Sequence, residues 1–452
     1  MRKYLLLLLL VISTNLYSQK PTEASVGRIE TRIREISQFG AIASGGVNRV
    51  AYSDADIKAR LYVVALMKNA GLEVTIDQAA NIIGRRKGKA GDLPYISLGS
   101  HIDSVPGGGN YDGIAGVLAA IECIELLNEI KLVTDHPLEV IVFTDEEGGL
   151  IGSMAMNGTI TEKDLDRISN SGKKISKGIE DLGGNIEELG KAVRKPGEIA
   201  AFLELHIEQG AILDSEGTDI GVVEGIVGIE TWEVAIEGKA NHAGTTPMNV
   251  RQDALIAASK LVIAVNESVN SFEGSQVGTV GKIKVEPGAS NVVPGKVILT
   301  IELRDLSGEK IMMVFARITD GMKAIEKETG TKISFRPDHS NVSALMDGNI
   351  MDYLTKSSVE LGFSYRSMPS GAGHDAQDMS KIAPTGMVFV PSRNGISHSP
   401  LEYTAPEQIA HGASVLFHTV LKIDSKSRGS FGYIAAEADL ASESGRSYSV
   451  KN

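Results

Sequence analysis

YISLGSHIDSVPGGGNYDGIAGVLAAIECIELL, Tyr95–Leu127, holds one complete unit of the fold. Tyr95–Ser100 is a short apolar run that reads as a buried strand. His101 and Asp103 stand at its end. The glycines of GGGNYDG let backbone come close to an ion or a substrate, and Gly113 opens a helix that runs to Leu127. Leu138–Thr144 and Ala201–Leu205 read as further short buried strands. Strand–helix–strand order of this kind implies a mainly parallel sheet with helices on its faces. Ligands then gather at the carboxyl ends of the strands. His101, the run Asp145–Glu147 and His206 each follow such a strand, so the sheet unites residues that are distant in the chain.

The flanking chain extends the pattern. Ile29–Gln38 and Asp54–Ala70 have helical spacing, with Ser53 and Asp54 as N-caps and Gly71 as the stop. Leu72–Asp77 and Asn81–Arg85 read as a strand pair. From about Gly221 the style changes. Gly221–Gly238 is strand-like with glycine breaks, and Asn249–Asn270 is a long helix. Val277–Glu286 and Lys296–Arg304 are strands around a Pro287–Pro294 turn region. Glu309–Glu328 is a helix and Lys332–Arg336 a strand. These make a compact α+β unit inserted in the first domain. Alternation resumes after Asp338 with Asn349–Leu361, Gly386–Pro391 and Pro406–Leu421. The expected division is an α/β domain over 22–220 and 337–424, an inserted α+β unit over 221–336 and a flexible tail over 425–452.

A chain of 452 residues is too long for one small core, which agrees with two domains. A net charge of −12 argues against nucleic acid or an anionic membrane surface as partner. Arg2 and Lys3 precede the apolar run Leu5–Ile12, and a polar stretch with small residues ends at Ser18. Residues 1–18 therefore read as a secretory signal peptide, too short to span a membrane. No cysteine stands at the cleavage site for lipid attachment. The expected setting is periplasmic or secreted. The single cysteine, Cys123, rules out an intramolecular disulfide and sits in an apolar helix as a core residue.

Five segments carry metal-liganding side chains: GSHIDSV (His101, Asp103), GGGNYDG (Asp112), FTDEEGG (Asp145, Glu146, Glu147), LELHIEQG (Glu204, His206, Glu208) and GISHSP (His398). Three histidines and several carboxylates are what a pair of zinc ions needs, and a two-metal site activates water for hydrolysis. His101 and Asp103 share a strand face, so Asp103 can orient the imidazole. Asp112 taken alone reads more readily as a helix N-cap than as a ligand, and the other segments reverse that preference. Three adjacent carboxylates at Asp145–Glu147 repel one another unless a cation is near. One can then bind metal while its neighbour takes a proton from water. His242, Asn291 and Arg304 are polar residues of the inserted unit that could equally be solvated surface groups.

Together with GGVNRVAYSD, NHAGTTPM, ELRD and GAGHDAQ, these segments resemble the zinc-dependent hydantoinase/carbamoylase family of amidohydrolases, within the two-zinc aminoacylase and aminopeptidase group. That family includes N-carbamoyl-L-amino-acid hydrolases, allantoate amidohydrolases and β-ureidopropionases. The resemblance runs from about Gly45 to Leu421. It implies an α/β catalytic domain with a ferredoxin-like lid, two divalent ions and a homodimer. The ions would be zinc, with manganese, cobalt or nickel as alternatives. Asp112 would bridge them, His101 and His206 would complete one, and Glu147 and His398 the other. Glu146 would be the general base and Asp103 would orient His101. Gln209 and His374 would line the substrate pocket. From the lid, Asn291 and Arg304 would hold a substrate carboxylate and His242 would polarise the scissile carbonyl. The implied reaction is hydrolysis of the C–N bond of N-carbamoyl-L-amino acids or ureido acids such as allantoate. Alternatives are a dipeptidase or aminoacylase on the same scaffold, or an inactive exported binding protein. One departure is DEEGGLIGS, where many relatives place arginine and phenylalanine after the paired glutamates.

Overall fold

The computed structural model describes residues 22–90 and 92–426. The expected signal peptide and nearly all of the expected tail lie outside the described residues. The first strands are β1 (Glu73–Ile76), β2 (Ile82–Arg86), β3 (Tyr95–His101), β4 (Leu138–Phe143), β5 (Ile199–Ile207), β6 (Ile220–Ile226) and β7 (Gly228–Glu237). Then come β8 (Asn241–His242), β9 (Val277–Glu286), β10 (Val292–Val293), β11 (Lys296–Asp305), β12 (Lys332–Asn341), β13 (Ala344–Leu345), β14 (Tyr365–Ser370) and β15 (Thr385–Val390).

The described residues form a nine-stranded sheet ordered β1-β2-β4-β3-β5-β15-β6-β13, with β14 also paired to β6. Its centre is parallel: β3 pairs β4 and β5, and β5 pairs β15, all in parallel. Every residue of β4 and β15 is buried, as expected for strands covered on both faces. The helix Ile114–Glu129 is apolar almost all round because it lies between the sheet and the helices Val26–Ile36 and Pro406–Lys426.

A second sheet of four antiparallel strands, ordered β12-β7-β11-β9, carries the helices Ala254–Asn270 and Gly308–Thr329 on one face. Strand β11 alternates buried and half-buried residues, the period-two signature of a sheet covered on one side. Trp232 stacks flat on Phe315 with ring centroids 3.7 Å apart. The β-α-β-β-α-β succession is the ferredoxin-like order.

The boundaries of the insert differ from the sequence reading. Residue 221 falls inside β6, which belongs to the large sheet, where it pairs β15, β14 and β13. The chain crosses at Val227, between β6 and β7. On the return, β12 continues beyond Pro337 to Asn341, because a register shift after the proline lets the ladder with β7 resume. The long helix starts at Ala254 rather than Asn249, where the Asp253 carboxylate accepts from the N–H groups of Leu255 and Ile256. Pro247 precedes only a short 3-10 turn, Met248–Val250. Strand β14 has no counterpart in the sequence reading, its pattern interrupted by Pro369.

Helix Ile114–Glu129 reaches the sheet through Gly116. A Cβ there would stand 2.2 Å from the Leu205 carbonyl oxygen and 2.7 Å from the Ser100 Cβ. Gly116→Ala should therefore destabilise the fold by about 1–3 kcal/mol, the usual cost of overpacking. Urea unfolding followed by circular dichroism measures it, and an unchanged midpoint would contradict the close approach.

Candidate metal centre

The site lies at the carboxyl ends of the central strands. His101 is the last residue of β3, Glu146 and Glu147 follow β4, and His206 is within β5, one residue before its end. Asp112 precedes the helix Ile114–Glu129, and His398 lies in the loop after β15. Asp112 is the meeting point. Its Oδ1 is 3.4 Å from His101 Nε2 and 3.1 Å from His206 Nε2, and its Oδ2 is 3.4 Å from His398 Nε2. Glu147 Oε2 is 3.5 Å from His398 Nε2. Two ligand sets result, His101–Asp112–His206 and Asp112–Glu147–His398, each with its donor atoms within 4.8 Å of one another.

Backbone carbonyls fix both buried imidazoles. His101 Nδ1 faces the Asp103 carbonyl at 3.1 Å and His206 Nδ1 the Ile207 carbonyl at 2.9 Å. A proton held on Nδ1 leaves Nε2 as the electron-pair donor. Asp103 thus orients His101 chiefly through its main chain, its carboxylate being 3.6 Å away. That carboxylate accepts instead from the N–H groups of Glu146 (3.3 Å) and Glu147 (3.2 Å). It holds the acidic turn, which Asp145 enters with a left-handed φ of 55°.

A cavity of about 220 Å³ is lined by Asp112, Glu146, Glu147, His206, Gln209 and His374, among others. Gln209 Nε2 donates to Asp112 Oδ2 at 2.7 Å, while its Oε1 and His374 Nδ1 are buried without hydrogen-bond partners among the described residues. Gly149 and Leu150 of the segment DEEGGLIGS line the same cavity. A larger groove of about 360 Å³ lies elsewhere and is lined mostly by aliphatic residues such as Ile57, Leu61 and Val74.

Not every candidate joins this cluster. His242 and Asn291 are exposed on the small β8–β10 pair. Arg304 donates to Glu302 (2.8 Å) and to the Gly371 carbonyl (2.7 Å), at the start of the loop that leads to His374. None of the three lines the cavity. Glu204 and Glu208 join neither ligand set. Glu204 accepts from the Ser100 hydroxyl and the Ala376 N–H, and Glu208 caps the helix Ile212–Glu216. Sequence reading passed over Glu402 and Asp375, both buried beside the ligands. For Glu402 the one available signal was its position four residues beyond His398.

The electrostatics reflect this crowding. Burial alone would raise the Asp112 carboxyl, but the imidazoles, His206 foremost, outweigh it and hold Asp112 well below the usual carboxylate range. Burial also opposes the charge on His101 and His206, yet the surrounding carboxylates raise both. His398 is pushed up to about 9, first by its contact with Asp112. Burial lifts Glu146 well above its ordinary value and, with Asp112, lifts Glu147 to about 7. The donor chemistry fits divalent ions, because each set offers imidazole nitrogen and carboxylate oxygen. His101 Nε2 and Glu147 Oε1 are buried without hydrogen-bond partners among the described residues, a deficit that a cation would satisfy.

A mainly parallel α/β sheet thus gathers two candidate metal-ligand sets at the carboxyl ends of its strands. The chain belongs to peptidase family M20/M25/M40, whose pattern matches residues 97–422. It is 38% identical over 401 residues to an N-carbamoyl-L-amino acid amidohydrolase of Geobacillus stearothermophilus, covering 88% of this chain and 98% of that one. It is also 38% identical over 426 residues to a ureidoglycolate hydrolase of Arabidopsis thaliana, covering 91% and 89%. Among solved structures, an amidase of the hydantoinase/carbamoylase family from Burkholderia multivorans superposes with a TM-score of 0.81 at 36% identity, covering 89% and 98%.

Metal binding should be coupled to protons. The ligating forms are neutral imidazole and ionised carboxylate. His398 and Glu147 titrate at about 9 and about 7, so metal uptake near neutrality must displace protons. Both values are raised, so the ligating forms gain ground only as pH rises, and affinity should climb between about pH 6 and pH 9. Calorimetric titration of the metal-stripped protein in buffers of different ionisation enthalpy should show the release. Heats independent of the buffer would contradict it.

Proposed function

We propose that the chain hydrolyses the C–N bond of a ureido acid, an N-carbamoyl-L-amino acid or a relative such as allantoate, using two divalent metal ions. The observation that carries this reading is the pair of ligand sets sharing Asp112 with Glu146 beside them. Support comes from relatives named for ureido substrates and matched over almost their whole length. His101, Asp112 and His206 would hold one ion, and Asp112, Glu147 and His398 the other. Zinc suits these donors best, with manganese, cobalt or nickel as substitutes. When bound, the ions polarise the scissile carbonyl and acidify the attacking water.

Glu146 would move the proton. Its Oε2 is 3.7 Å from His101 Nε2, and it lines the cavity without belonging to either ligand set. Its raised proton affinity, caused first by burial, suits a group that accepts a proton from water and returns it to the leaving nitrogen. An N-carbamoyl amino acid would then yield the free amino acid, ammonia and carbon dioxide. Gln209 and His374 would orient the ureido group. From the insert, Arg304 and Asn291 would hold the carboxylate and His242 would stabilise the developing oxyanion. The exposure of His242 and Asn291 agrees with a lid that serves a second subunit, so a homodimer forms part of this reading. Export to the periplasm or medium is the remaining part, supported by the basic and apolar residues at the amino terminus.

The direct test is ammonia release by the metal-loaded enzyme from N-carbamoyl-L-amino acids, allantoate and ureidoglycolate, with dipeptides and N-acyl amino acids as controls. Turnover of the ureido acids is expected. Turnover of dipeptides alone would replace this reading with a peptidase. Glu146→Gln should lower kcat by about 10²–10⁴-fold while metal content stays at the wild-type level. Loss of metal together with activity would make Glu146 a ligand.

Arg304→Lys keeps the charge but loses the forked geometry, so kcat/KM for acid substrates should fall, and further in Arg304→Ala, by about 2–5 kcal/mol. Equal losses on a substrate whose carboxylate is amidated would assign Arg304 to the fold instead.

A further inference from the structure

Two ligands of the proposed centre are held by the sheet and two sites in loops are not. His101 and His206 belong to the neighbouring strands β3 and β5, and each sits in a parallel ladder, His101 opposite Phe143 of β4 and His206 opposite Phe389 of β15. Asp112 and His398 lie outside any ladder, in loops far apart in the chain. Something else must set their separation.

Glu402 is 3% exposed and joins those loops. Its Oε1 accepts from the N–H groups of Tyr111 (2.9 Å) and Asp112 (3.1 Å). Its Oε2 accepts from the Ser397 hydroxyl (2.8 Å) and the His398 N–H (3.3 Å). Each oxygen therefore serves one loop. The Ser397 hydroxyl also lies 3.1 Å from Asp112 Oδ2, which adds a link between the loops. The donors offset only part of the cost of burying this carboxylate, since burial and then the Asp112 charge still raise it above its ordinary value. The fit is close: a Cβ on Gly109 would stand 2.1 Å from Glu402 Oε1 and 2.4 Å from its Cβ. Glycine at 109 leaves room for the carboxylate, and any side chain there would displace it.

We infer that Glu402 is a positioning residue that sets the separation of Asp112 from His398, and so supports the Asp112–Glu147–His398 set more than the His101–Asp112–His206 set. The inference rests on the reading above that these sets bind metal. Glu402 belongs to neither ligand set and does not line the cavity, so it would act through the two loops.

Two variants perturb this tie differently. Glu402→Gln keeps the shape but turns one acceptor into a donor, so the backbone N–H groups that face the new amide nitrogen lose their acceptor. Gly109→Ala keeps the glutamate but fills its place. The test is stepwise Co²⁺ binding to the metal-stripped full chain, followed by visible absorption and calorimetry, with the metal-free Tm measured alongside. Wild type should take up two equivalents. In both variants one equivalent should bind within about threefold of wild-type affinity and the other at least about tenfold more weakly, the usual scale when a residue orienting a ligand is changed. Two equivalents bound as in wild type would overturn the inference. So would equal weakening of both steps with a lowered metal-free Tm, which would make Glu402 a general scaffold residue. A wild-type chain that takes up fewer than two equivalents would overturn the reading of the site itself, a result distinguishable from unchanged variants.

Discussion

One buried carboxylate, Asp112, must face three imidazoles that arrive from three parts of the chain. His101, His206 and His398 all point Nε2 at it within 3.1–3.4 Å. Placing that charge out of water is costly unless its partners are fixed in position. Much of the architecture around it meets this need. The parallel pairing of β3 and β5 delivers two imidazoles side by side, with ring centroids 5.8 Å apart. Gly116 lets the helix behind Asp112 approach the sheet. Gln209 donates to the same carboxylate, and Glu402 holds its backbone N–H.

The second constraint, on the proposed reading, is that a proton carrier stand near the ligands without becoming one. Asp103 meets it by binding the main-chain N–H groups of Glu146 and Glu147 together. Adjacent glutamates in a tight turn can then take different directions. Glu147 joins the His398 set, while Glu146 lies near His101 and outside both sets. The insert contributes less directly in this arrangement. Arg304 donates through Nε to Glu302 and through Nη1 to the Gly371 carbonyl.

Sequence made the liganding segments legible because each pairs a metal-binding side chain with the end of an apolar run, as at Tyr95–His101 and Ile199–Ile207. The mainly parallel sheet and the α+β insert followed from the same alternation, and the fold comparisons agree. What stayed hidden depends on tertiary contact. Gly221–Gly238 reads as one broken strand, yet Val227 divides it between two sheets. Pro369 obscured β14, whose place is set by pairing with β6 rather than by its own pattern. Glu402 carries no periodic signal, and its value appears only once folding brings it to Tyr111 and Asp112. The second task of Asp103 was likewise invisible, because spacing cannot distinguish a carboxylate facing an imidazole from one facing a turn.

Anomalous diffraction from crystals of the zinc-loaded chain tests the shared-carboxylate centre most directly. Two zinc peaks should appear, both bonded to Asp112, one also to His101 and His206 and the other also to Glu147 and His398. A single peak, or two peaks with no common ligand, would contradict the central place given to Asp112.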